Sequence, residues 1–232
     1  MVKADVFSAA KANRLFWLAR YENRVYLTIH QLNKCFDMMI DGHPDEYSHF
    51  WEKLDASGKY QTSEEFTLGM LYDEDNPCSV ISAQRFAMDN AILLREDIMS
   101  ETLSYLEMSM ALMRKCKHES IVSLNELQPI IDWSLAFWGS AEQRLQNPKA
   151  LVIMLLGRNI ESLDMQLRFA YPFHRIALTY IAVKHFGKDF PGGIDESISA
   201  QLDELLTAEN YDIQNDEYKN KVIKYVNQLV RV

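Results

Sequence analysis

Glycine and proline are scarce in this 232-residue chain, with eight and six copies. Both residues interrupt regular backbone, so their rarity leaves long stretches in which nothing stops a helix. Cysteine is scarcer still. Cys35, Cys78 and Cys116 are far apart and odd in number, and no two form a C-x-x-C pair. Neither a disulfide framework nor a zinc knuckle is indicated, and a reducing cytoplasm is the expected compartment. Positive charge is also in deficit, with 24 Lys and Arg against 33 Asp and Glu and a net charge of −9. A diffusely acidic surface repels phosphate backbones, which argues against a nucleic-acid partner. No apolar run approaches the roughly 18 residues of a membrane span. Met1-Val2-Lys3-Ala4-Asp5 opens the chain without the apolar core of a secretory signal. A membrane partner is therefore not expected. There is no glycine-rich phosphate loop, since Gly192-Gly193 has neither the spacing nor the lysine. No cofactor is expected, and ATP, if used, is expected on a partner protein.

What fills the chain instead is apolar periodicity. Hydrophobic residues make up 48% of it, enough to bury a core. From about Ser8 to Ile40, Leu15, Leu18, Val25, Ile29, Leu32, Phe36 and Met39 step by three and four, with Glu22 at the one missing position. That spacing is a helical seam and not a strand alternation. Asp41-Gly42-His43-Pro44 predicts its end. A short helix is expected from Asp45 to Leu54, a turn at Ala56-Ser57-Gly58, and a further helix from Thr62 toward Leu71. Thr62 and Glu65 have capping-box spacing.

Asn76-Pro77 and Asn147-Pro148 each place a capping side chain before a proline suited to the first helical turn. The first signal predicts an uninterrupted helix to about Lys117. The second predicts a long helix with Ile153, Leu156, Ile160, Leu163, Leu167, Ala170, Ala177 and Ile181 on its seam. His174 is the polar seam member, expected as a core histidine, and Pro172 should kink or divide the helix. Between the two, a helix begins near Asn125. Gly187 and Pro191-Gly192-Gly193 close the second long segment, and helices over about Asp195–Ala208 and Asp216–Val230 follow. The chain reads as one all-α domain over residues 1–232, a mainly antiparallel multi-helix bundle with two very long helices. Residues 195–232 form its C-terminal extension. The methionines, among them Met38, Met39, Met99, Met108, Met110 and Met113, read as core filler, with an adaptable partner surface as the alternative.

Leu15-Phe16-Trp17-Leu18-Ala19-Arg20 is echoed by Ile153-Met154-Leu155-Leu156-Gly157-Arg158. Three blocks carry a wider resemblance. The first is Asn13-Arg14-Leu15-Phe16-Trp17-Leu18-Ala19-Arg20-Tyr21 with Arg24. The second is Asp75-Asn76-Pro77-Cys78-Ser79-Val80-Ile81-Ser82, continuing through Arg85, Asp89, Asn90, Arg95, Glu96 and Glu101. The third is Leu156-Gly157-Arg158-Asn159-Ile160-Glu161 with Asp164. In these blocks and in their order the chain resembles the Alpha-E domain, a helical family of bacterial proteins. It departs from the family pattern where Asn23 and Tyr26 replace two glutamates and where Ser162 replaces the arginine after Glu161. The resemblance implies a setting more than a reaction. Alpha-E proteins are associated with ATP-grasp-type ligases and transglutaminase-like proteins, in systems proposed to make or process amide bonds. A protein of either kind is the partner it implies.

The charged members of these blocks define a candidate polar cleft: Arg20, Arg24, Asp89, Asn90, Arg95, Glu101, Arg158, Glu161 and Asp164. Arg20 and Arg24 share a helix face, as do Arg158 with Glu161 and Asp164 with Arg168. If the first helix packs on the helix after Pro148, their charged stripes meet. A desolvated cleft so lined would hold a small anionic or amide-bearing ligand. The competing reading is a salt-bridged face with no ligand, in a non-catalytic interaction scaffold. A metal-dependent bundle enzyme is a third reading. Glu46 and His49 have the Glu-x-x-His spacing of di-iron bundles, but such a site needs two of these motifs and only this one is present, so no metal is expected. The sequence leaves open whether the protein is catalytic and whether it forms a homo-oligomer.

Overall fold

A computed structural model describes residues 8–43, 45–54, 60–121, 123–190 and 192–232, with the side chain of Leu124 also outside the description. The turn expected at Ala56-Ser57-Gly58 and the prolines Pro44 and Pro191 lie outside the described residues, as does the segment 1–7. Eleven α-helices account for almost all regular structure among those described: α1 Ala9–Ile40, α2 Glu46–Lys53, α3 Ser63–Tyr72, α4 Val80–Leu93, α5 Arg95–Ile98, α6 Ser100–His118, α7 Gln128–Arg144, α8 Pro148–Arg168, α9 Phe173–Lys188, α10 Glu196–Leu205 and α11 Asp216–Gln228. The fold class is all-α. The one β feature among these residues is an isolated bridge between Ile194 and Val230. No described helix is long and apolar enough to cross a membrane.

Helix starts follow the caps. Thr62 accepts from the Glu65 amide, and the Glu65 carboxylate reaches back to the Gln61 amide. Asn147 accepts from Lys149 ahead of Pro148, Asp195 from Ser197 and Ile198, and Asn215 from Glu217 and Tyr218. Asn76 caps only a turn, accepting from the Cys78 amide. Ser79 then takes over, accepting from Ser82, so α4 starts at Val80. Near Asn125 a 3-10 turn, Leu124–Leu127, precedes α7.

The expected division of the second long helix at Pro172 is found, whereas the unbroken helix from Pro77, the seam position of Ile181 and the core placement of His174 need correction. The helix from Pro77 does not run unbroken to Lys117. It divides into α4, α5 and α6, with Met99 at φ 68 before α6. Leu94, just before α5, and Ile98, its last residue, are both buried, and no glycine or proline marks this break. The second long helix divides between Arg168 and Phe173. Ala170 takes φ 50, and the Tyr171 and Ala170 amides turn back onto the Gln166 and Leu167 carbonyls, a Schellman closure without glycine. Pro172 then starts α9 in a new phase. Its buried face is Ile176, Tyr180, Val183 and Gly187, which leaves Ile181 exposed. The same rephasing puts His174 on the surface and not in the core.

The chain forms two compact units, which α1 and α4 both enter. One comprises residues 1–20, 90–98 and 145–232; the other comprises 21–89 and 99–144. In the first unit α8 is the central element, packed by α9 and α11. Its seam residues Ile153, Leu156, Ile160, Leu163 and Leu167 are fully buried. The echoed segments meet there at their smallest residues. A Cβ on Gly157 would stand 2.6 Å from the Phe16 carbonyl oxygen and 3.2 Å from the Ala19 Cβ. In the second unit α6 packs on α7, with Met113 and Phe137 fully buried. An aromatic cluster joins α2 to α3, with Phe50 and Phe66 ring centres 5.3 Å apart.

Candidate functional site

The first half of α1 and the middle of α8 bring a guanidinium to a carboxylate inside the first unit. Arg20 Nε donates to Glu161 Oε2 at 2.7 Å, and the two residues are 3% and 0% exposed. Close backbone approach at Gly157 makes this reach geometrically available. Arg20 also lies over the Trp17 ring at 5.0 Å, a face that suits a planar cation. Burying two charges costs several kcal/mol per ion unless geometry and further hydrogen bonds compensate.

Those further bonds come from α11. Arg20 Nη2 donates to Asn227 Oδ1 at 2.9 Å, and Asn227 Nδ2 donates to Asp164 Oδ1 at 2.6 Å. Asp164, 3% exposed, accepts at its other oxygen from Arg168 Nε at 2.8 Å. The result is one chain of charge-assisted bonds, Glu161–Arg20–Asn227–Asp164–Arg168. Arg only donates and a carboxylate only accepts, so the orientation of the Asn227 amide is fixed by its neighbours. The last turn of α11 is held in place by the segment around residue 194. The Asp195 amide donates to the Leu229 carbonyl and the Arg231 amide to the Gly193 carbonyl, both at 2.8 Å, while Arg231 also pairs with Asp195.

Of the nine candidate residues, the structure thus brings Arg20, Glu161 and Asp164 together. Arg158 is half-buried one turn before Glu161 on α8. Asn90 lines a shallow depression of the first unit with Asn13, Arg14 and Val232, and Arg95 is exposed on α5. In the second unit Arg24 lies over the Tyr21 ring at 5.7 Å, and Asp89 is exposed on α4. Glu101, also exposed, is paired with Arg144 at 3.4 Å. His49 Nδ1 is 3.4 Å from Glu46 Oε2 at the surface, and among the described residues no three His, Cys, Asp or Glu side chains converge as metal ligands would.

One participant escapes the sequence reading. Asn227 sits on the polar side of an ordinary amphipathic helix outside the motif blocks, so nothing local marks it. Glu22, the carboxylate on the apolar seam of α1, is no part of this network. It is buried in the second unit and accepts from Ser134. With Gln84, Ser109 and Ser134 it lines a cavity of about 10 Å³, about one water molecule in capacity.

Residues 9–210 match the model of the Alpha-E family, described as a predicted alpha-helical domain with a conserved ER motif. The chain belongs to the Alpha-E family. No curated protein and no solved structure matches it. No Glu-Arg dipeptide occurs anywhere in the sequence. Glu161 draws its guanidinium from Arg20.

Proposed function

We propose that this Alpha-E protein is the component that does not bind ATP in a system forming or modifying amide or peptide bonds. Its task there is to recognise a small anionic or amide-bearing ligand. An ATP-grasp ligase or a transglutaminase-like protein is the partner. The observation that carries the reading is the buried Arg20–Glu161 pair, extended to Asp164 at the third family block. Hydrophobic residues of similar volume hold a core as well as or better than an ion pair, so a buried pair of this cost favours a role beyond stability, here recognition. The test is reconstitution with the partner. Glu161→Gln keeps the shape and removes the charge, and it should lower product formation by at least tenfold, about 1.4 kcal/mol. Full activity of a folded Glu161→Gln protein would remove the reading.

A second reading is a non-catalytic interaction scaffold. It is supported by the outer face of α9, where Leu178 and Ile181 are 65% and 64% exposed one turn apart. In that case Leu178→Glu abolishes partner capture and Glu161→Gln leaves it intact.

A further inference from the structure

The Asn227 carboxamide is held between groups of opposite hydrogen-bonding character. One wall, Arg20, can only donate, and it donates to the amide oxygen. The opposite wall, Asp164, can only accept, and it accepts from the amide nitrogen. The second N–H of the same nitrogen reaches the Ile223 carbonyl at 3.0 Å. Each polar atom of the amide is thus matched by a group of opposite character. An anion in its place would meet the Asp164 carboxylate, and a cation would meet the Arg20 guanidinium, which is fixed by Glu161. A tertiary amide has no N–H for either acceptor. The pair of walls therefore selects a primary carboxamide over the other small polar groups of that size.

Two further observations indicate that Asn227 is an occupant and not an integral part of this site. Arg20, Glu161 and Asp164 are buried, whereas Asn227, which bonds to Arg20 and Asp164, is an exposed residue. A rotation about its own side-chain bonds uncovers Arg20 and Asp164 without moving the buried residues of α11, Val222, Ile223 and Val226. In addition, α11 lies beyond residues 9–210, the part of the chain that matches the family. A segment outside the matched span thus supplies the group that bonds to Arg20 and Asp164 within it.

We propose that Arg20 and Asp164 form a binding subsite for a primary carboxamide, such as an asparagine or glutamine side chain, and that Asn227 fills it in the free protein. This rests on the recognition role proposed above and narrows its ligand class from anion or amide to amide. Asn227 is then a displaceable mimic of the ligand.

The test uses the full chain with Asn227→Gly, which deletes a group close to acetamide in shape, and acetamide itself as the probe. Acetamide should raise the thermal midpoint of the variant and shift the Arg20 Nε–H resonance in a saturable way. Its affinity should exceed that for wild type by about tenfold, the equivalent of about 1.4 kcal/mol. Acetate and N,N-dimethylacetamide should do neither. An equal response to all three probes, or equal responses of variant and wild type, overturns the assignment. If Asn227→Gly does not fold, Asn227→Ala with formamide poses the same question. The two proposals fail separately. Loss of reconstituted activity in Glu161→Gln without an acetamide response removes the amide subsite alone, whereas an acetamide response with full Glu161→Gln activity removes the role in catalytic recognition.

Discussion

Arg20 shows how much one side chain is asked to hold. Its Nε serves Glu161, its Nη2 serves Asn227, and its plane lies over Trp17. A charge so placed is stable only while its counter-charge remains. Removing one partner of a buried pair typically costs about 3–5 kcal/mol, because the other charge is left desolvated, whereas replacing both by apolar groups is often close to neutral. Glu161→Leu should therefore cost several kcal/mol, and the double variant Arg20→Leu with Glu161→Leu should recover a large part of the loss. Denaturant midpoints of the single and double variants measure this coupling. A cost below about 1 kcal/mol for Glu161→Leu, the range of an exposed pair, would mean that water reaches the pair.

At the scale of the helix, two glycines in similar helical settings should behave in opposite ways. Gly157 lies inside α8 against the first half of α1, where an added Cβ would press on the Phe16 backbone at 2.6 Å. Backbone cannot swing aside, so Gly157→Ala must push the two helices apart. Overpacking of this kind costs about 1–3 kcal/mol. Gly139 lies inside α7 with nothing within 4 Å of the same added atom. There Ala only improves helix propensity, which is worth about 1 kcal/mol of stabilisation. Opposite shifts in unfolding midpoint are expected, and stabilisation by Gly157→Ala would contradict the close approach. These elements also mark how far sequence could be read. The starts of α3, α8, α10 and α11 are legible because capping acts over a few residues. The ends of α6 and α8, expected near Lys117 and Pro172, fall at His118 and Arg168, but the positive φ of Ser120 and Ala170 that closes them carries no glycine signal. The break before α6 is hidden too, because Met99 takes φ 68 there without being glycine.

For the molecule as a whole, the candidate site was legible in the family blocks and not in the periodicity. Arg20, Glu161 and Asp164 stand in those blocks, but Asn227 reaches them from 63 residues beyond Asp164, a pairing that no spacing rule supplies. The same long-range economy governs how the protein should respond to pH. Four phenols each donate to a distant backbone carbonyl: Tyr72 to Ile121, Tyr180 to Ser199, Tyr211 to Tyr171 and Tyr218 to Leu205. Burial is the largest influence on each and favours the neutral phenol, raising all four above the ordinary value of 10, with Tyr211 and Tyr218 pushed up to about 12. Burial likewise pushes the Cys35 thiol from 9 up to about 11.

For each of these groups the folded form holds its proton more tightly than the unfolded form. Their stabilisation is thus fully present below pH 9. It declines as pH rises, first through the Cys35 window from 9 to about 11, then through the Tyr211 and Tyr218 window from 10 to about 12. The chain already carries net charge −9 at pH 7, so each added phenolate also adds to a like-signed charge. The expected result is a steady fall in denaturant midpoint above pH 9, with phenolate absorbance from these tyrosines appearing late and together with unfolding. Tyr211→Phe and Tyr218→Phe each remove one titrating group. Each variant should start less stable at neutral pH for want of its hydrogen bond, yet lose less between pH 10 and 12. A midpoint that stays flat to pH 12, or Phe variants whose alkaline slope equals that of wild type, would show that these phenols do not hold the fold.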